Sequence, residues 1–157
     1  MIQRPLLGLY SSAFIVLFDQ ITKWFVLDGM GDVHKTVPVT SFLNIVLVWN
    51  KGVTFGLLNH SSQKIVPYLL MAVAVVILVL LGRWLFRTTS AAVAVALGGI
   101  MGGAIGNNLI DRVRYGAVVD FLDFHYAGHH WYAFNVADAA IVTGVALLLI
   151  DGMVRGK

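Results

Sequence analysis

Ile65-Val66-Pro67-Tyr68-Leu69-Leu70-Met71-Ala72-Val73-Ala74-Val75-Val76-Ile77-Leu78-Val79-Leu80-Leu81-Gly82 contains no charged side chain and lies between Lys64 and the pair Arg83 and Arg87. A helix crossing about 30 Å of hydrocarbon needs roughly 20 mostly apolar residues, because lipid offers no partner to an open backbone N–H or C=O. The stretch therefore predicts a membrane-spanning helix over 65–86. Outward from it, three more stretches meet the same demand: 5–27, with Asp19 and Lys23 near its far end, then 91–111, and 135–154. In the third of the four, Gly98, Gly99, Gly102, Gly103, Ala104 and Gly106 allow helix backbones to approach closely, which places it at the centre of a bundle. The first begins like a secretory signal, with Arg4 before an apolar run containing Ser11, Ser12 and Ala13. That run continues into Asp19-Gln20 without closing a short apolar core, so a retained helix is expected.

Composition agrees with this reading. Of 157 residues, 59% are hydrophobic and 12% charged, and the mean hydropathy is +0.83. An ordinary soluble domain has about 25% charged residues, so a disordered tail, a nucleic-acid binder and a water-soluble enzyme all fit poorly. The net charge of +3 comes from Lys and Arg scattered singly around apolar segments, not from a basic face. All the acids are Asp. The absence of cysteine removes disulfides, thiolate metal sites and a thiol nucleophile.

Four spans put both termini on one side. Arg4, Arg83, Arg87, Arg155 and Lys157 lie there, against Lys23, Lys35, Lys51, Lys64, Arg112 and Arg114 opposite, so the basic residues alone do not orient the chain. All the Asp residues except Asp151 fall on the second side. That side carries two extramembrane segments, 28–64 and 112–134. The β-branched, partly alternating run from Val37 to Trp49 predicts a small sheet at the membrane surface. In the other segment Phe121, Phe124, Tyr126, Trp131 and Tyr132 suit the interface, where amphipathic rings settle. With no repeat, linker or low-complexity tract, residues 1–157 read as a single domain. The fold class expected is all-α integral membrane, four transmembrane helices with a small β-cradle-like sheet.

Charge at membrane depth is costly, which makes Asp19, Lys23, Asp111, Arg112, Asp120, Asp123 and Asp138 the candidates for chemistry. Spacing alone offers structural accounts for most of them. Asp19 and Lys23 stand i, i+4 and can pair, and Asp111-Arg112 can close the third helix as an ion pair. Asn135 reads as an N-cap, which puts Asp138 at the third helical position, where a carboxylate is favoured. Asp120, in Val118-Val119-Asp120-Phe121, has no such account, and desolvation should raise its pKa. Two carboxylates held close together share a proton and can act as base and acid on one water; intramembrane acids equally serve proton relays and ion sites. His125 and His129, with His130 and Asp123 nearby, raise a metal site, although Ala127-Gly128 interrupts a helix there and interfacial, solvated histidines are the simpler reading. No Gly-x-Ser-x-Gly or Asp-Thr-Gly motif occurs.

In chain order, Asp19-Gln20-Ile21-Thr22-Lys23, Asn50-Lys51-Gly52-Val53-Thr54-Phe55-Gly56, Gly102-Gly103-Ala104-Ile105-Gly106-Asn107, Asp111-Arg112 with Gly116-Ala117-Val118-Val119-Asp120-Phe121, and Phe134-Asn135-Val136-Ala137-Asp138 resemble the lipoprotein signal peptidase (signal peptidase II) family over nearly the whole chain. The resemblance implies an intramembrane aspartic endopeptidase of the bacterial inner membrane. Such an enzyme removes the signal peptide from diacylglyceryl-modified prolipoproteins, cutting before the lipidated cysteine. It implies Asp120 and Asp138 as the catalytic pair, where spacing alone had left capping sufficient for Asp138. It also implies Asp19, Lys23, Asn50, Gly52, Asn108, Asp111, Arg112 and Asn135 as site-supporting or substrate-binding. No metal or other cofactor is implied, and no nucleic acid; the partners are prolipoprotein and membrane lipid, with a monomer as the simplest assembly. The Asp-rich side becomes periplasmic and both termini cytoplasmic.

Two departures from the family pattern stand out. Counting back from Asp111-Arg112 reaches Asn108, whereas counting forward from Gly103-Ala104-Ile105-Gly106 reaches Asn107. One inserted residue accounts for the mismatch and predicts a local distortion of the third helix. Thr54 stands where a smaller residue is common, which bears on substrate fit. The rival from another class is a small proton- or ion-coupled transporter with the Asp residues as coupling sites.

Overall fold

The computed structural model describes residues 3–31, 35–52 and 65–155. Four helices in it are long and apolar enough to cross a membrane: α1 (Gln3–Met30), α2 (Val66–Leu85), α3 (Ala91–Tyr115) and α4 (Val136–Arg155). Between them lie β1 (Val37–Pro38), β2 (Leu43–Asn50), β3 (Val118–Tyr126) and β4 (His129–His130). The helix ends follow local chemistry. Pro67 occupies the first turn of α2, where a missing N–H costs nothing, and Ser90 caps α3 by accepting from the Val93 N–H. Gly116, in the left-handed region at φ 71°, stops α3.

The helices present apolar outer faces, and large side chains such as Phe14, Phe25, Leu80 and Leu149 are more than half exposed. For a membrane protein this is the expected inversion, since lipid tails solvate those faces as well as a protein core does.

α3 is the buried member, as its glycines predict. A Cβ on Gly98 would strike the Gly8 carbonyl of α1, one on Gly102 would stand 2.6 Å from the Ser12 carbonyl, and one on Gly103 would stand 2.5 Å from the Ala137 carbonyl of α4. Backbones this close leave no room for a side chain. Toward the chain termini, α2 and α3 pack through buried Leu85, Val93, Ala94 and Leu97, with Leu148 of α4 against them.

At the opposite end the four strands form one antiparallel sheet in the order β1-β2-β3-β4. The first surface segment forms strands as its pattern predicts, although it supplies only half of the sheet. β3, from the second segment, pairs with β2 from Leu43↔Phe124 to Asn50↔Val118, with an irregularity between Ile45 and Val48. β3 returns into β4 through the two-residue turn Ala127-Gly128, both residues at positive φ, as the twist of a tight hairpin demands. Leu47 and Val119 seat the sheet on Met30 at the end of α1.

Candidate active site

Asp120 lies mid-strand in β3, 2% exposed, so one carboxylate sits where the sheet meets the helices. Its Oδ2 accepts from the Asn50 side-chain amide at 2.9 Å, and its Oδ1 accepts from Asn135 Nδ2 at 2.7 Å. Burial pushes the Asp120 carboxyl up to about 6; the amides of Asn50 and Asn135 oppose the rise, and the neighbouring Asp138 charge adds to it.

Asp138 stands in the first turn of α4. Its backbone N–H donates to Asn135 Oδ1 at 2.9 Å while its Oδ2 accepts from the Asn135 N–H at 3.2 Å, a reciprocal cap of the kind the spacing predicts. Capping leaves Oδ1 of Asp138, which accepts from Asn107 Nδ2 at 2.8 Å. Asn135 is fully buried and touches both acids: its amide nitrogen holds Asp120 and its amide oxygen holds the backbone of Asp138. The two carboxylates are thus tied to one residue, Asp120 through the Asn135 side chain and Asp138 through the Asn135 backbone N–H.

Behind them lies a buried charge network. Lys23 Nζ meets Asp19 Oδ2 at 2.8 Å, Asp111 Oδ2 at 2.7 Å and Asn107 Oδ1 at 2.6 Å, three acceptors for the three N–H bonds of an ammonium. The i, i+4 pairing of Asp19 with Lys23 is present, but each acid has further work. Asp19 Oδ1 accepts the Ala137 N–H, one of the otherwise unpaired donors at the start of α4. Asp111 accepts from Gln20 Nε2 at 2.9 Å and from the Val119 N–H at 3.1 Å, which anchors β3 one residue before Asp120. The expected Asp111-Arg112 pair is corrected by these contacts: adjacent helical residues point apart, so Asp111 turns to Lys23 while Arg112 turns to Asn108 Oδ1 at 3.3 Å and the Lys51 carbonyl at 3.4 Å.

The inserted residue in α3 has a structural counterpart. Ile105–Asp111 is a π-helix, whose i→i+5 bonding widens one turn. The widened turn brings Asn107 to Lys23, Asp138 and Asn135, whereas Asn108 meets Arg112. Of the two candidates, it is Asn107 that touches Asp138; Asn108 touches the side chain that braces the Asn50–Gly52 turn. In that turn the Gly52 N–H donates to Asn50 Oδ1 at 2.8 Å, holding the amide that meets Asp120. Gly52 has φ +76°, and a Cβ there would come within 2.5 Å of Leu70 and 3.1 Å of Arg112, so both backbone and space call for glycine. Val53 to Gly56 of the same motif, Thr54 included, lie outside the described residues.

Asp123 does not join this group. It accepts from Asn44 Nδ2 and faces His130 Nδ1, each at 2.9 Å. Burial would raise its carboxyl, but these two hydrogen bonds and the nearby histidines hold it below the usual carboxylate range. His125 and His129 are hairpin residues, not one helical face; His125 stacks on His130 at 5.1 Å. Among the described residues no group of three His or Asp is arranged to hold a metal ion.

A family model described as Signal peptidase (SPase) II matches residues 11–154. The chain belongs to the signal peptidase II family. Similar proteins named lipoprotein signal peptidase include one from Methylobacterium sp. (strain 4-46), 45% identical over 94% of this chain and 90% of its own. Another, from Caulobacter vibrioides, is 41% identical over 89% and 82%. A bacterial membrane enzyme solved at 1.9 Å by the in meso method shares the fold with a TM-score of 0.80 and 31% identity, covering 92% of this chain and 90% of that one. Membership in the signal peptidase II family makes the chain a peptidase and a multi-pass bacterial membrane protein. The transporter reading is set aside on the same finding.

Within this signal peptidase II fold, one contributor escaped sequence reasoning. Gln20 donates to both Asp111 and Asp19, at 2.9 and 3.2 Å, joining the two acids that flank Lys23. An amide inside an apolar span was the available signal.

Proposed function

We propose that this chain removes signal peptides from diacylglyceryl-modified prolipoproteins as an aspartic endopeptidase, with Asp120 and Asp138 as its catalytic pair. The observation that carries the proposal is Asn135, one residue that holds both carboxylates: its side-chain amide donates to Asp120 and its backbone N–H donates to Asp138. One proton is shared by the pair, and a water between the carboxylates attacks the scissile carbonyl. The ionised Asp takes a proton from that water while the protonated Asp gives its own to the carbonyl oxygen. Collapse of the tetrahedral intermediate then breaks the C–N bond, and the departing amine takes up a proton from the pair. The elevated Asp120 carboxyl supports a proton held within the pair, and that proton belongs to the pair as a unit.

The supporting residues have separable tasks in this reading. Asn50 and Asn135 orient Asp120, Asn107 orients Asp138, and Lys23 with Asp19, Asp111 and Gln20 fixes α1, α3, α4 and β3 around them. Gly52 and Arg112, braced by Asn108, hold the turn beside Asp120 where an extended peptide can lie. The substrate's acyl chains remain in the bilayer while the sheet meets its peptide at the surface. In this proposal residues 1–157 form one domain working as a monomer in the inner membrane, both termini cytoplasmic and the pair toward the periplasm.

The test is cleavage of a diacylglyceryl-modified prolipoprotein by purified chain in detergent, comparing wild type with Asp120→Asn and Asp138→Asn, each verified as folded. The expected result is cleavage before the lipidated cysteine by wild type and a loss of at least about a hundredfold in rate in either variant. Near-normal cleavage by a folded variant overturns the pair.

A further inference from the structure

The end of the bundle that holds both chain termini carries two hollows that the peptidase reading does not use. One, of about 510 Å³, is lined by Arg4 and Leu9 of α1 and by Phe86, Arg87, Thr88 and Thr89 of the turn that leads from α2 to α3. The second, of about 250 Å³, shares Arg4 and Leu6 with the first and adds Leu7 and Tyr10. Arg4 is thus common to two mainly apolar clefts, with Arg87 facing the larger. Arg4, which the two hollows share, lies about 22 Å along α1 from Asp19, at a helical rise of 1.5 Å per residue.

The chemistry of the walls narrows what can sit there. Leu9, Tyr10 and Phe86 are 42%, 70% and 68% exposed, and they continue the outer faces of α1 and α2 that meet lipid tails. Two guanidiniums at the end of such a face offer planar, charge-assisted donors matched to phosphate oxygens. Thr88 and Thr89 add hydroxyls beside them. Among the described residues Asp151 is the acid of this end, against Arg4, Arg83 and Arg87, so the local charge favours an anion. Basic pockets at the ends of membrane helices select anionic headgroups on this electrostatic basis.

We propose that the double cleft holds one anionic membrane phospholipid, its phosphate between Arg4 and Arg87, one acyl chain along Leu9 and Phe86, and the other along Leu7 and Tyr10. Two clefts meeting at one guanidinium match a ligand with two chains and one phosphate. A single-chain amphiphile would leave one cleft without an occupant, and a soluble anion would leave both. A zwitterionic headgroup binds less well, because its ammonium is brought toward the two arginines. The site does not depend on the assignment of the catalytic pair, and it serves as an attachment point for lipid at the end opposite the chemistry.

The test uses the full chain in detergent micelles, titrated with phosphatidylglycerol, with phosphatidylcholine, or with inorganic phosphate alone. Retained lipid is read by native mass spectrometry and the melting temperature by intrinsic fluorescence. Wild type is expected to retain one phosphatidylglycerol in preference to phosphatidylcholine. Arg4→Gln and Arg87→Gln each weaken retention about fivefold and the double variant about thirtyfold. Arg83→Gln, which alters the same end without touching either cleft, retains the lipid as wild type does, and signal-peptide cleavage by the double variant is unchanged. If the double variant retains phosphatidylglycerol like wild type, or if Arg83→Gln loses it equally, the site is overturned. A melting shift from inorganic phosphate equal to that from the lipid overturns the lipid assignment in favour of a free-phosphate site.

Discussion

The two ends of the helix bundle are held together by opposite means, although α1 and α3 run through both. Toward the termini they meet backbone to backbone, Gly98 against Gly8 and Gly102 against Ser12, with Leu85 and Leu97 packed beside them. Toward the sheet the same two helices meet through a buried ammonium, two carboxylates and an amide: Lys23, Asp19, Asp111 and Asn107. Shape complementarity suffices to join helices in lipid, as the first end demonstrates. A buried ionic network adds little net stability over an apolar replacement of similar volume, yet losing one member is costly. The second end is therefore best understood as a device for fixing positions, and what it positions is the pair Asp120 and Asp138.

Substitutions can test this contrast. The largest effect falls on catalysis: Asp138→Asn should lower the rate of prolipoprotein cleavage by about a hundred- to ten-thousandfold, with circular dichroism of the purified variant matching wild type. Next comes Lys23→Met, which strands Asp19 and Asp111 without their cation and should cost about 3–5 kcal/mol of stability, measured by thermal unfolding in detergent. The combined Asp19→Asn, Lys23→Met, Asp111→Asn variant should recover much of that stability while cleavage stays impaired; recovery of cleavage as well would erase the distinction between the two ends. Gly98→Ala, at the apolar end, drives a methyl into the Gly8 carbonyl and should cost about 1–3 kcal/mol, leaving the cleavage rate per folded molecule near wild type. A fall in rate matching that of the Lys23 variant would show that the apolar end also positions the acids.

The smallest effect depends on pH. Because Asp120 is raised from 3.8 to about 6, the folded chain binds its proton more tightly than the unfolded chain. Stability attached to that proton is complete below about pH 4 and is lost as pH rises through 6. Asp120→Asn should therefore melt higher than wild type above pH 6, with the gap closing below pH 4. A gap that does not change with pH would mean that the rise in Asp120 is absent.

The four spans were legible because hydrocarbon imposes a length and a composition that few other environments impose, and the centrality of α3 was legible in its glycines. The reciprocal cap of Asn135 and Asp138 could be read from a three-residue spacing. The partner of the predicted sheet was harder to see. Val118 to Tyr126 is buried at first and exposed later, so it lacks the clean alternation that marks a half-buried strand. The destination of Asp111 was out of reach as well, because its partners Gln20, Lys23 and Val119 include residues more than eighty positions away. Asn107 and Asn108 could not be separated by counting, since the answer lies in a widened turn that alters which way each residue faces.

The acids also have an order of manufacture. Asn50, Asn107, Asp120 and Asn135 all precede Asp138 in the chain, and Asp138 stands at the entrance to the last span. Synthesis runs from the N-terminus, so a nascent chain with three helices inserted carries one acid of the pair, Asp120, with its orienting amides and no partner carboxylate. On the proposed pair, the capability to cut arrives with the final helix, and a chain stalled before it would be a membrane protein without proteolytic chemistry.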